Sequence, residues 1–300
     1  MPERTRSDLR DLLFALLEST RPRQWIKNLL IFAALLFAKK LTDPVRLAHA
    51  LLAFVLFCAV SGGVYLFNDM LDREKDRLHP IKARRPLASG RLPMNVALPA
   101  TLVLLTAAVA SSFILSLPFG ATALIYVLIN IAYSSWLKEV VILDVMFVGL
   151  GFVLRALAGA VAIDVEISPW LILCTILLSL FLAFCKRRQE LEMLVEEAGD
   201  HRLALREYSV GFLDQMISIV TAATVVCYSF YTISPEVEQK LGTKYLFLTI
   251  PLVLYGIFRY LYLVHRRGQG GSPATALLTD RPLLICVALW AAMVCVILYH

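Results

Sequence analysis

The chain has 300 residues, of which 59% are hydrophobic and only 17% charged, and its mean hydropathy is +0.73. Soluble globular domains carry about 25% charged residues, so that class is excluded and a multispanning membrane protein is expected. The formal net charge of +6 matters only through where the basic residues fall along the chain, and no nucleic acid is expected as a partner.

From the N-terminus, residues 1–20 interleave Arg4, Arg6 and Arg10 with Asp8 and Asp11, while Leu9, Leu12, Leu13, Leu16 and Leu17 recur at helical spacing. This predicts an amphipathic helix on the membrane surface. A cleavable signal peptide is not expected, because no small-residue cleavage site follows the first apolar run. Apolar runs, measured against the roughly 20 residues a spanning helix needs, predict nine spans: 25–38, 46–67, 96–116, 119–136, 140–163, 168–185, 211–233, 244–264 and 282–299. The first is the shortest. No repeat or long linker divides the chain, so residues 1–300 are expected to form a single all-α transmembrane domain. The segment Gly268-Gln269-Gly270-Gly271-Ser272-Pro273 is expected to be a loop.

With the N-terminus inside, 22 of the 29 Lys and Arg residues fall in inner segments and 5 in outer ones; Arg155 and Arg259 lie within spans. The positive-inside rule then puts the N-terminus and the polar loops in the cytoplasm, with the chain in the inner cell membrane. The six cysteines fall within or at the ends of spans, without a CxxC pair or a His at ligand spacing, and are read as packing residues. Trp25, Trp136 and Trp170 near span ends fit an interfacial belt.

The inner loops carry the polar chemistry. Asn68-Asp69-Met70-Leu71-Asp72-Arg73-Glu74-Lys75-Asp76 closes the second span, and Lys82-Ala83-Arg84-Arg85-Pro86 follows. Carboxylates three and four residues apart share a helix face, and hard oxygens aimed at one point suit Mg2+ holding a diphosphate. A solvated helix end would explain the charges equally well, but Asn68 and Asp69 still belong to the apolar run, where polar groups are costly unless they serve a cavity. Gly62-Gly63, just upstream, permits close packing. A second cluster, Lys186-Arg187-Arg188-Gln189-Glu190, emerges from the sixth span on the same membrane face. Asp144 and Arg155 share one span and lie about 16 Å apart along its axis, too far to pair. Lys27 and Lys138 stand at span ends, either as snorkelling anchors or as cavity residues.

Asn68-Asp69-x-x-Asp72-x-x-x-Asp76 resembles the first Asp-rich motif of the UbiA superfamily of intramembrane prenyltransferases. Arg21-Pro22-Arg23-Gln24-Trp25-Ile26-Lys27-Asn28, Tyr133 with Lys138, and Leu143-Asp144 followed by Arg155-Ala156-Leu157-Ala158-Gly159 resemble further signatures of that family. The resemblance implies nine helices around a cavity open to the cytoplasm. The family's second motif is usually also Asp-rich, and this chain departs from it with Lys186 to Glu190. It resembles there the branch of decaprenyl-phosphate phosphoribosyltransferases, as do Arg21 to Asn28, Thr279-Asp280-Arg281-Pro282-Leu283 and the Tyr208 region.

That branch implies transfer of 5-phosphoribose from phosphoribosyl diphosphate to a polyprenyl phosphate lipid, with release of diphosphate, toward arabinose donors for the cell envelope. Asp69, Asp72 and Asp76 are then expected to hold Mg2+. Asp72, Lys186 and Glu190 are the expected catalytic residues, with Asp72 or Glu190 orienting ribose hydroxyls. Lys27, Asn68, Lys82, Arg84, Arg85, Tyr133, Lys138, Asp144, Arg155 and Arg187 are the expected substrate-binding residues. Bases in the second motif suit a donor and an acceptor that bring extra phosphates. Membrane lipids are expected partners, and association of identical chains stays open. Two alternatives are prenyl transfer to an aromatic acceptor, which wants an acidic second motif, and a membrane transporter or channel using the carboxylates as an ion site, which wants polar groups in both halves of the membrane.

Overall fold

The computed structural model describes residues 2–78, 81–196, 205, 207–267 and 273–300, and the regular elements among them are all helical. They are α1 (Pro2–Ser19), α2 (Ile31–Phe37), α3 (Pro44–Leu71), α4 (Arg73–Arg77), α5 (Met94–Leu115), α6 (Leu117–Ser135), α7 (Leu143–Ala162) and α8 (Pro169–Glu196). After these come α9 (Val210–Ile233), α10 (Pro235–Leu241), α11 (Ile250–Arg267), α12 (Pro273–Thr279) and α13 (Arg281–Tyr299). Short 3-10 turns cover Pro22–Leu30, Lys82–Arg84, Leu137–Glu139 and Tyr245–Thr249. The expected loop at 268–272 lies outside the described residues, as do His79 and Pro80.

Eight of these helices are long and apolar enough to cross a membrane, in the places predicted for the second to ninth spans. The first predicted span, 25–38, is instead a nine-residue 3-10 helix running into the seven-residue α2. Asn28 is buried and hydrogen-bonded to Ser61, and with Lys27 beside it the apolar stretch that remains is too short for one spanning helix. The all-α membrane architecture stands, and the chain is an integral membrane protein.

Helix starts follow their capping residues. Asp43 accepts from the backbone N–H groups of Val45 and Arg46 ahead of Pro44, Ser116 caps α6 through Phe119 N–H, and Ser209 caps α9 through Phe212 N–H. Each satisfies donors that the first turn leaves open. Asp280 caps α13 through Leu283 N–H and also takes both Arg259 donors, at 3.1 and 2.8 Å.

In the bundle, α3 packs on α5 and α6, α7 lies between α6 and α8, α9 packs on α8, and α11 on α13. One apolar core fills the α3–α5–α6–α7 side around Phe57, Phe119 and Tyr126, and another fills the α8–α9–α11 side around Phe181, Leu213 and Leu263. Two glycines set close approaches. A Cβ on Gly159 would stand 2.1 Å from the Ile31 carbonyl, so only glycine lets α2 lie on α7, and a Cβ on Gly62 would meet the Thr20 Cβ at 2.9 Å. Leu12, Ala15 and Leu16 of α1 pack on Leu66, Leu87 and Leu92, while Leu9, Leu13, Phe14 and Leu17 stay exposed. That two-faced helix is the amphipathic one the leucine spacing predicts.

Candidate active site

Polar side chains gather at the ends of α3, α6, α7 and α8. Helix α3 stops at Asp72, which leaves the αR region, and α4 restarts at Arg73. Backbone bonds still run from Asp72 N–H to the Asn68 carbonyl (2.9 Å) and from Asp76 N–H to the Asp72 carbonyl (2.8 Å), so the acidic face continues across the break. Asp69 is buried and pairs with Arg21 and, at 3.0 Å, with Arg85. Arg85 also reaches Asp76 at 2.5 Å. Asp72 turns instead toward Lys138, whose Nζ lies 2.6 Å from it.

Arg21 owes its position to a left-handed backbone, with φ 54°, that turns the chain from α1 into the next 3-10 helix. A non-glycine residue there is strained, and the guanidinium it aims between Asp69 and the Tyr65 ring is the feature that holds it.

A second group is built on α7 and α8. Arg187, 2% exposed, donates Nε to Asp144 at 2.5 Å, pairs with Glu190 one turn along, and donates Nη2 to the Tyr133 hydroxyl at 3.1 Å. Tyr208 donates to Asp144 at 2.8 Å and accepts from Ile142 N–H at 2.7 Å. Burial above all, and then the Asp144 carboxylate, push the Tyr208 phenol above its ordinary range. Ile142 has a φ of 69°, unfavourable for a β-branched residue, and the Tyr208 hydroxyl meets the N–H that this turn exposes. Lys186 is half-exposed, 3.7 Å from Glu190.

A third group lies deeper. Arg155, 4% exposed, donates to Asn28 Oδ1 (2.8 Å), the Gly151 carbonyl (2.7 Å) and the Tyr126 hydroxyl (2.7 Å). Asn28 donates onward to Ser61 Oγ at 3.1 Å. As their separation along α7 predicts, Asp144 and Arg155 serve different groups.

The chain between α6 and α7 ties the first two groups together, with Tyr133 on Arg187 and Lys138 on Asp72. Arg21 and Tyr65 link the first group toward Tyr126 and the third. Arg84 is exposed and Lys82 half-buried on the 3-10 turn beside Arg85. Sequence reasoning named most of these side chains and missed the site roles of Arg21, Tyr126 and Tyr208. Arg21 stood inside a quoted motif but was read only as part of a signature. Nothing in an apolar run marks Tyr126 as a hydrogen-bond acceptor.

Asp69 and Asp76 share the Arg85 Nη1 while Asp72 turns away to Lys138, so the three carboxylates do not converge on one point here; among the described residues no group of three His, Cys, Asp or Glu is placed to hold a metal ion. In this acidic group two of the described buried oxygens nevertheless lack a partner, Asn68 Oδ1 and Asp69 Oδ2. Orphaned acceptors of this kind are costly, and their hard-oxygen chemistry fits a divalent cation.

The sequence matches the UbiA prenyltransferase family over residues 29–279, and the chain belongs to that family, as a membrane-embedded transferase. It is 33% identical over 301 residues to the decaprenyl-phosphate phosphoribosyltransferase of Mycolicibacterium smegmatis, covering 97% of this chain and 94% of that one. With the enzyme of the same name from Mycobacterium tuberculosis it shares 31% identity, covering 95% and 94%. The chain is thus similar to pentosyltransferases over nearly its whole length. A structure of a UbiA homologue from Archaeoglobus fulgidus bound to GPP and Mg2+ has the same fold, with TM-score 0.72 at 20% identity, covering 95% of this chain and 100% of that one.

Proposed function

We propose that the chain transfers 5-phosphoribose from phosphoribosyl diphosphate to a polyprenyl phosphate, from an active site facing the cytoplasm in the inner membrane. The observation that carries this reading is Arg187, a buried arginine standing where prenyltransferases of this family have an acidic motif. The names of the relatives at 31–33% identity support it, and the product serves the building of arabinose donors for the cell envelope.

In the reaction the C1–O bond to diphosphate breaks and a C1–O bond to the acceptor phosphate forms, with positive charge developing on the ribose between them. Asn68, Asp69, Asp72 and Asp76 would hold Mg2+, which when bound neutralises charge on the departing diphosphate. Arg85, with Lys82 and Arg84 on the same turn, meets diphosphate oxygens, and the buried Lys138 steadies Asp72. Glu190 and Asp72 accept from ribose hydroxyls, and Arg187, fixed by Asp144 and Tyr133, directs its charge toward the acceptor side with Lys186 nearby. No protein base is required, because a phosphate monoester with a second pKa near about 6 is already ionised at pH 7. Positioning and fixed charge carry the catalysis.

The test incubates the purified protein in lipid with Mg2+, radiolabelled phosphoribosyl diphosphate and polyprenyl phosphate. Label should move to the organic phase. Absence of that label, together with prenylation of an aromatic acid from a prenyl diphosphate, would replace this reading with the aromatic-acceptor one.

A further inference from the structure

Buried or half-buried cations in this chain mostly find a carboxylate. Arg21 and Arg85 have Asp69, Lys138 has Asp72, Arg187 has Asp144 and Arg259 has Asp280. Arg155 and Lys27 differ. Arg155 bonds only to neutral oxygens, and its guanidinium lies over the Tyr126 and Phe152 rings, at 4.9 and 5.4 Å from their centroids. Lys27, next in chain to the Asn28 that accepts from Arg155, makes no salt bridge or hydrogen bond among the described residues. The charges of Arg155 and Arg21 both act on it unfavourably.

Such an arrangement is repulsive without an anion between the cations, and charge at this depth persists in membrane proteins where it serves a substrate path. Among the described residues no carboxylate pairs with either cation, which leaves the place open to an anion from outside the chain. Three of the five Arg155 N–H groups are taken by Asn28, Gly151 and Tyr126. Two remain, and Lys27 adds three more donors. That set fits the terminal oxygens of a phosphate monoester.

The depth also discriminates. Ser61, which anchors Asn28, is eight residues before Asp69 on α3, about 12 Å along the axis. A ligand with its diphosphate at Asp69 therefore reaches the Asn28–Arg155 group, next to Lys27 in the chain, with its opposite end. Phosphoribosyl diphosphate has its diphosphate on C1 and its monoester on C5, across the sugar.

We propose that Lys27 and Arg155 form a second, deeper anion site that takes a phosphate monoester, the 5-phosphate of the donor. The assignment rests on the phosphoribosyl-transfer reading; the anion site itself rests on the unpaired cations. It gives the enzyme a means of telling its sugar donor from a prenyl diphosphate, whose far end is hydrocarbon and leaves both cations unpaired.

The experiment measures binding to the full chain in lipid nanodiscs with Mg2+, using ribose 5-phosphate, a short polyprenyl monophosphate and inorganic diphosphate as separate probes. Lys27→Met is the main variant, because Lys27 is only half-buried and outside the Arg155 hydrogen-bond network; Lys27→Arg is the conservative control. Ribose 5-phosphate affinity should fall roughly tenfold or more in Lys27→Met, from the loss of one charge-assisted contact. It should largely return in Lys27→Arg, with diphosphate binding unchanged in both. In turnover, the KM for phosphoribosyl diphosphate should rise more than kcat falls. If the polyprenyl monophosphate arm weakens instead, the same monoester site belongs to the acceptor and the 5-phosphate assignment is overturned. The site itself is overturned if the wild type binds neither monoester, or if Lys27→Met leaves both unchanged or weakens all three probes equally. A wild type that shows Lys27-dependent monoester binding but transfers no phosphoribose removes the proposed reaction and leaves the anion site standing.

Discussion

The two polar clusters at one end of the bundle are built on opposite plans. Around α3 the carboxylates are fixed by the chain and the cations reach them from elsewhere: Arg21 from before the first 3-10 helix, Arg85 from the turn after α4, and Lys138 from between α6 and α7. Around α8 a single arginine is the centre: Tyr133 of α6, Asp144 of α7 and Glu190 of α8 close on it, and Tyr208 holds Asp144 from behind. A carboxylate set held by separate cations can exchange those partners for a metal-bound substrate. An arginine locked by three groups cannot be moved without leaving a buried charge. The contrast separates groups poised for exchange from groups that hold the frame.

Breaking the frame should cost most in stability. Arg187→Ala leaves Asp144 buried without its cation, and about 3–5 kcal/mol of stability should be lost, seen as a large drop in the unfolding midpoint in lipid or detergent. A near-wild-type midpoint would place Arg187 with the exchangeable groups. Asp72→Asn should instead act on turnover: roughly a hundredfold loss of Mg2+-dependent kcat, about 2.7 kcal/mol in the barrier, with the fold kept. Full activity in Asp72→Asn would take that residue out of the site.

Tyr208→Phe sharpens the comparison within the second cluster. It leaves an Asp144 oxygen and the Ile142 N–H without their partner, for about 1–3 kcal/mol. Because the phenol is pushed upward in the folded state, its contribution is intact below the unfolded tyrosine value of about 10 and declines as pH rises beyond that. The wild type should therefore lose more stability than Tyr208→Phe between neutral and strongly alkaline pH. Parallel pH curves would sink that linkage. The smallest effect belongs to Arg91, whose bidentate pair with Glu18 joins α1 to the loop before α5 but is largely exposed. Arg91→Ala should cost under about 1 kcal/mol, and a larger loss by thermal unfolding would show that α1 is a firm part of the frame.

The sequence alone determined the class of fold and the positions of eight of its spanning helices, because the bilayer's demand for long apolar runs is written locally and is hard to mistake. It also marked Asp69, Asp72, Asp76, Lys138, Asp144 and Arg187, because charge next to or inside apolar segments stands out against composition. Pairing was legible only where it is local, as between Arg187 and Glu190. The tertiary structure alone decided that Asp144 belongs to Arg187 and Tyr208, that Arg85 bridges Asp69 and Asp76, and that the first predicted span is a broken turn folded inward around Lys27 and Asn28. Those outcomes depend on contacts between residues tens of positions apart and on the close approach of α2 to Gly159. No spacing rule within a single helix encodes them.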